Sequence, residues 1–406
     1  MMMARKGFLC KAAALGVLLP VLGLPLEALA KPKKTVLGFY ASWAPPSVRY
    51  DKITHLMYAF LNPGAGGQIS GSVPGDLISS AHGAGVKIIA SIGGANNSSG
   101  YPSLASSASG RSAFAGACKA ITDAGADGVD IDWEFPANAG DSTNFSLLLK
   151  AIRASIGPSK LITLELAPND EKGHWIPKSA LDIADFYTAM AFDFTGDFPG
   201  SPVGQHSSYQ ASVIAINYWW KNRGVAREKV IMGVPFYGKN FDAGGASVDY
   251  KDIVNANPGL SADADQVGRT WFNGPTTMKM KATFVAQNSY GGVMVWQLAG
   301  DASPGSKSLL DALNTGLEAP AAAKVSRETE GRLSIRPLGN RGTLARLGMP
   351  GLESGLQRNM QVSSVRDISG RGQGSTAGTG IPAPAAGIYF LETRPTGAGM
   401  APGLNQ

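Results

Sequence analysis

Eight apolar runs recur between residues 35 and 298: 35–43, 55–62, 87–94, 128–135, 161–167, 186–194, 229–237 and 291–298. Most are hydrophobic almost without interruption, as in parallel strands covered on both faces. Segments with apolar residues at helical spacing lie at 75–85, 110–124, 142–156, 209–223 and 306–317. Asn144-Phe-Ser-Leu-Leu-Leu-Lys150 is the clearest of them. This alternation within residues 31–318 predicts an α/β chain folded as a (β/α)8 TIM barrel. An open doubly wound sheet is the alternative, but no Gly-x-Gly-x-x-Gly turn follows the first strand.

The fourth run ends in acids: Asp127-Gly-Val-Asp-Ile-Asp-Trp-Glu-Phe-Pro136. Side chains alternate across a strand, so Asp130, Asp132 and Glu134 share one side and Val129, Ile131 and Trp133 the other. Carboxylates about 7 Å apart along a hydrophobic strand cannot all ionise cheaply. One is expected to keep its proton near neutral pH, as a general acid must. Two plainer readings compete. Surface aspartates of an Asp/Gly-rich loop fit poorly with the alternation and the closing Pro136. A Mg²⁺ or Ca²⁺ cluster would want a glycine-turn ligand loop, and none follows. No metal and no cofactor is expected.

Barrel enzymes work at the C-terminal strand ends. Glu134 falls there, with Trp43, Gly93-Gly94, Asn169-Asp170, Asp193, Tyr237 and Trp296. Residues 238–290 exceed an ordinary connection, include a short helix at 248–254 and a turn at 271–275, and are expected to cover part of the cleft.

The chain of 406 residues carries a net charge of +6, but its arginines cluster after Pro320, from Arg327 to Arg394. The remainder is close to neutral, so the basic balance argues for no nucleic acid. Arg5, Lys6 and Lys11 accompany an apolar run at 12–24 that is too short to cross a bilayer. Ala28-Leu-Ala30 has the form of a cleavage site. Residues 1–30 are therefore expected to be a secretory signal peptide rather than an uncleaved anchor. The mature chain would then be extracellular and begin at Lys31, with no membrane span, and is expected to be a monomer. Cys10 leaves with the signal, and Cys118 then has no intrachain partner. Pro320-Ala-Ala-Ala323 opens an Arg/Gly-rich linker over 319–360. Residues 361–406 read as a small β module, with strands at 362–371 and 387–391, or as a disordered basic tail.

Asp127-x-x-Asp130-x-Asp132-x-Glu134 resembles the signature of family 18 glycoside hydrolases, the chitinases. The resemblance spans about residues 33–318 and takes in Ser91-x-Gly-Gly94, Met190-Ala-Phe-Asp193, Gly233-Val-Pro-Phe-Tyr-Gly-Lys239 and Trp296. It implies a retaining cleavage assisted by the substrate, an exception to the two-carboxylate scheme. Glu134 would protonate the glycosidic oxygen. The sugar's own acetamido oxygen would attack its anomeric carbon. Asp132 would bind the acetamido N–H, and Asp130 would share a proton with Asp132. Asp193, Trp296, Tyr237, Met190 and Phe192 would contact the sugar, with Asp127, Ser91 and Gly94 in support. Trp43 and Trp175 are candidates for outer subsites; Trp219 and Trp220 read as packing. The implied partner is chitin or an N-acetylglucosamine oligosaccharide.

Several positions depart from the family. Phe192 stands where a tyrosine hydroxyl usually meets the acetamido oxygen, and Phe39 where a tyrosine supports the inner aspartate, with Tyr40 facing the other way. Lys239 replaces a common arginine, and Ala95 a frequent tryptophan. An endo-β-N-acetylglucosaminidase acting on glycoprotein cores would use the same carboxylates. A non-hydrolytic chitinase-like lectin typically lacks the acid. Asp367-Ile-Ser-Gly-Arg371 and Gly387-Ile-Tyr-Phe-Leu391 are similar to C-terminal sorting modules of some Gram-negative secretion systems, which would hold the protein at the cell surface.

Overall fold

The eight apolar runs pair side by side into a closed parallel cylinder. Its strands are β1 (Thr35–Ala41), β2 (His55–Pro63), β3 (Lys87–Gly93), β4 (Gly128–Asp132), β5 (Leu161–Leu166), β6 (Phe186–Ala189), β7 (Val230–Pro235) and β8 (Gly292–Trp296). Each neighbours the next in chain order, and β1 pairs with both β8 and β2, which closes the ring. The computed structural model describes residues 34–320 and three further strands, Met360–Asp367, Gly372–Ser375 and Tyr389–Pro395. The expected signal peptide and most of the expected linker lie outside the described residues. The chain divides into two units, residues 1–324 and 325–406. In the second unit, Met360–Asp367 pairs antiparallel with Gly372–Ser375 and with Tyr389–Pro395.

The main helices are α1 (Gly75–Gly83), α2 (Ala108–Asp123), α3 (Ala139–Ile156), α4 (Tyr209–Asn217), α5 (Pro275–Gln287) and α6 (Leu309–Leu317). Their starts follow the side chains that can cap them. Ser107, Asn138, Ser208 and Ser308 accept from the backbone N–H groups of Gly110, Asp141, Ala211 and Asp311. α3 buries Phe145, Leu148, Leu149, Ile152 and Ile156 against the outside of the barrel. Each such side chain is worth about 1.5–3 kcal/mol relative to exposure. Among the described residues no helix is long and apolar enough to cross a membrane.

Strand alternation sorts two cores. Val129, Ile131 and Trp133 face the helices with Ile88, Leu164 and Phe145. Leu37, Phe39, Met57, Ile89, Ile231 and Met294 fill the cylinder. Asp130 and Asp132 point into that same interior, wholly or almost wholly buried.

Several expected boundaries move. β4 ends at Asp132 and β6 at Ala189, so Glu134 and the 190–194 segment lie beyond the ladder. Tyr237–Asn240 leaves the barrel and joins a small antiparallel sheet with Ala246–Asp249, Thr270–Trp271 and Gln266–Val267. Residues 209–223 form α4 and then a wider π turn, Tyr218–Asn222. The long 238–290 segment contains α5, which packs on α6 where Gly316 lets the backbones approach: a Cβ there would lie 2.4 Å from the Lys279 carbonyl.

Candidate active site

At the C-terminal end of the barrel a cleft of about 380 Å³ is lined by the acids Asp132, Glu134, Glu165 and Asp193, by Met190 and Phe192, and by the aromatic rings of Trp296, Phe60, Phe39 and Trp43. Ala95, Asn96, Asn97 and Met294 complete the lining.

Two glycines let β3 and β4 meet there. Gly93 has φ of 113° and a Cβ would lie 2.2 Å from the Asp132 carbonyl; Gly94 has φ of 88° and a Cβ would meet the Phe60 ring at 2.7 Å. Gly94 N–H donates to the Asp132 carbonyl at 2.8 Å. Ser98 ties down the next step: its Oγ accepts from the Glu134 N–H at 2.9 Å and reaches the Asp132 carbonyl at 3.1 Å. Glu134 is thus presented at the cleft by a fixed backbone although it lies past the strand.

The acids lie in depth order. Asp130 is the deepest. Ser91 Oγ donates to its Oδ2 at 2.8 Å and Thr163 Oγ1 to its Oδ1 at 2.6 Å. Burial pushes its carboxyl up to about 6, against the pull of those two hydroxyls. Asp132, one step up, is raised well above the carboxylate range by burial, then by Glu134 and Asp130, and its Oδ1 has no partner. Glu134 is pushed up to about 7 by burial and by Asp193, partly offset by the Ala95 N–H. Glu165, on β5, is buried with neither carboxyl oxygen engaged.

Asp193 takes a left-handed φ of 57°. Tyr237 Oη donates to its Oδ1 at 2.7 Å, Lys239 Nζ stands 3.2 Å away and His206 Nδ1 3.5 Å away. Burial alone would raise this carboxyl; His206, Lys239 and Tyr237 outweigh it and hold it below its ordinary value. Across the cleft Trp296 stacks on Phe60 at 5.4 Å and meets Phe39 edge-on at 5.1 Å, while exposed Trp43 stacks on Phe60 at 5.9 Å.

The structure thus brings Asp132, Glu134, Asp193, Met190, Phe192 and Trp296 to one cleft, with Asp130, Ser91, Gly94 and Tyr237 directly behind them. Asp127 is elsewhere. It precedes β4 at the opposite end, where its Oδ2 accepts from the Ile88 N–H and meets His82 Nε2, both at 2.8 Å. Its spacing explains this: Asp127 has the parity of Val129, not of Asp130. Trp175 and Asn169-Asp170 do not line the cleft. Trp219 is buried and donates to the Ala167 carbonyl at 3.0 Å, and Trp220 lies under Arg227 at 3.4 Å. Tyr40 stacks on Tyr58 outside the barrel. Sequence reasoning missed Glu165, whose signal was a glutamate inside an apolar run, and His206, which had none.

A sequence model described as "Glycosyl hydrolases family 18" matches residues 35–301. Chitinase 63 of Streptomyces plicatus is 28% identical, the match covering 57% of this chain and 46% of that protein, so the chain spans about half the length of this relative. Chitinase 1 of Aphanocladium album is 26% identical over 73% of this chain and 89% of that protein. Among solved structures, the GH18 chitinase ChiB from the chitin utilization locus of Flavobacterium johnsoniae is 30% identical, with a TM-score of 0.61 over 70% of this chain and 94% of that one. A chitinase from Bacteroides thetaiotaomicron, 23% identical with a TM-score of 0.64, shares the fold.

Proposed function

Because the chain belongs to family 18 of the glycosyl hydrolases, we propose that it is a chitinase-type hydrolase that cleaves β-1,4 linkages between N-acetylglucosamine units with retention at the anomeric carbon. The observation that carries this reading is the Glu134 carboxyl, at the cleft and pushed up to about 7 by burial and by Asp193. Such a group keeps its proton until it meets a leaving group, yet releases it readily.

In this mechanism Glu134 gives its proton to the glycosidic oxygen as the C1–O bond breaks. The acetamido carbonyl oxygen of the same sugar forms the new bond to C1, giving an oxazolinium ion. Asp132 accepts from the acetamido N–H, and its charge offsets the cation. Glu134, now ionised, takes a proton from the water that attacks C1, and the ring opens with the original configuration. Trp296, backed by Phe60 and Phe39, offers a flat apolar face to the C–H side of the sugar. Asp193, tethered by Tyr237 and Lys239, supports a contact to the acetamido group. Phe192 offers it no hydroxyl. One lost hydrogen bond to a charged species is worth about 1.5–3 kcal/mol.

The test is a product profile. Chitin oligomers are expected to be cut to shorter oligomers. Glu134→Gln is expected to lose about 100- to 10,000-fold in rate while still binding them. Release of a high-mannose glycan from a glycoprotein, with chitin oligomers intact, would move the assignment to an endo-β-N-acetylglucosaminidase. Binding without cleavage would make it a lectin. Comparable turnover of deacetylated oligomers or cellulose would remove the substrate-assisted step.

A further inference from the structure

Glu165 has no part in that scheme. Asp130 pairs with Thr163 across β4 and β5, and Ile131 with Leu164. Asp132 and Glu165 therefore occupy the next rung, on strands about 4.8 Å apart. Both are buried and both line the cleft. Three of their oxygens, Asp132 Oδ1 and Glu165 Oε1 and Oε2, are buried without a hydrogen-bond partner. Asp130 differs: both its oxygens accept from hydroxyls, the surroundings of a carboxylate. The Thr188 hydroxyl on the other side is the one donor near Glu165, and neither of its oxygens is held by a formed hydrogen bond; a buried carboxyl so placed is suited to the neutral acid, whose O–H needs an acceptor. Asp132 is the acceptor on the adjacent strand.

We propose that Glu165 is a positioning residue of the hydrolytic site, holding the proton shared with Asp132 and, through that O–H···O bond, keeping Asp132 ionised and turned toward the acetamido N–H. This rests on the function proposed above. It moves the shared proton from Asp130, where the family resemblance puts it, to the neighbouring strand. The titratable groups facing Glu165 are Asp130, Asp132 and Glu134 from β4 and its extension, with Asp193 beyond Glu134 at the mouth. β6 presents Thr188 in register with it, β3 contributes Ser91, and the rest of the interior is apolar. Among the described residues lining the cleft there is no lysine or arginine. Burial, then the charges of Asp130 and Asp132, raise Glu165 well above the carboxylate range against the smaller pull of the Thr188 hydroxyl, and burial raises Asp132 too. The pair holds a proton through neutral pH, and Glu165 has both oxygens free to take it.

The experiment compares Glu165→Leu, Glu165→Gln and Asp130→Asn on chitin oligomers across pH. Glu165→Leu removes the donor, so the Asp132 carboxyl is expected to rise and the acid limb of kcat to move up by about one unit. kcat at the wild-type optimum is expected to fall about 10- to 100-fold, with KM within about twofold. Glu165→Gln keeps an N–H donor and is expected to restore the limb and hold kcat within about threefold. The thermal midpoint of Glu165→Leu is expected to be unchanged or higher, since an apolar side chain replaces a partnerless polar one. An unmoved acid limb in Glu165→Leu, or a limb moved only by Asp130→Asn, overturns the inference while leaving the chitinase reading intact. Wild type that cleaves no acetamido sugar overturns both. Should Glu165→Leu not fold, Glu165→Gln decides through its infrared spectrum, taken well above the Glu134 titration. Loss of the protonated-carboxyl C=O stretch there, and its retention in Asp130→Asn, supports the proposal; the reverse overturns it.

Discussion

Asp127 and Asp132 bracket one short strand, yet they meet opposite surroundings. At the entry to β4 the Asp127 carboxylate, partly open to solvent, accepts from the Ile88 N–H and meets His82, and so fastens α1 to the barrel floor. At the exit the Asp132 carboxyl is buried, has one oxygen without a partner, and lies beside two more acids, Glu134 and Glu165. Buried polar groups are normally satisfied, and each exception asks for a reason. One end of the strand obeys that rule and holds the fold. The other breaks it where a ligand would supply the missing partners. Under the proposed function the same residue type contributes stability at one end and reactivity at the other.

The largest effect that would break this contrast is at the exit. Asp132→Asn is expected to lower kcat/KM on chitin oligomers about 100- to 1,000-fold, the usual loss when a charge aimed at a developing cation is removed. Its unfolding midpoint is expected to stay level or rise, because like charges are relieved. Activity retained in Asp132→Asn, or lost only through unfolding, would leave the two ends of the strand without a functional difference.

The entry end sharpens it with a smaller effect. Asp127→Asn is expected to leave kcat/KM unchanged and to cost about 1 kcal/mol in denaturant unfolding, since a neutral acceptor replaces a charged one at a partly solvated site. A clear fall in activity with unchanged stability would return Asp127 to the supporting role at the site that its position in the sequence motif suggested.

That grouping shows what was legible before any coordinates. The barrel was, because strands covered on both faces are largely apolar, and eight such runs leave few alternatives. The strand ends were not. Trp133, Phe135, Met190 and Phe192 continue the apolar pattern past the ladder because they pack into the outer core, pack on the interior cluster or line the cleft. α5 was missed because Lys281 sits in its buried stripe and breaks the helical period; its Nζ reaches Ser207 and Asn273 at 2.7–2.8 Å, partners that lie far away in sequence or in a turn. Among the site residues, those on the carboxylate strand could be named from alternation alone. Glu165 and His206 could not, since their meaning lies in which strand or loop is adjacent, a fact of barrel closure rather than of local pattern.

The smallest effect concerns the outermost acid and follows from linkage. Glu134 has a folded-state value of about 7, above its unfolded value of about 4.3. Between those two values the native state binds more protons than the unfolded chain, so its contribution to stability is full at acid pH and is lost as pH rises through about 7. Glutamine does not titrate. Unfolding curves for Glu134→Gln and wild type are therefore expected to diverge from about pH 4.3 upward, with the variant the more stable above about 7. A shift of that size corresponds to roughly 3–4 kcal/mol at full weight, and the partial exposure of the side chain is expected to reduce the gap to a fraction of that. Asp127→Asn should show the opposite sign at neutral pH, a loss instead of a gain. If both variants are destabilised together there, Glu134 is ionised and comfortable in the folded state, and the exit of β4 is no more strained than its entry.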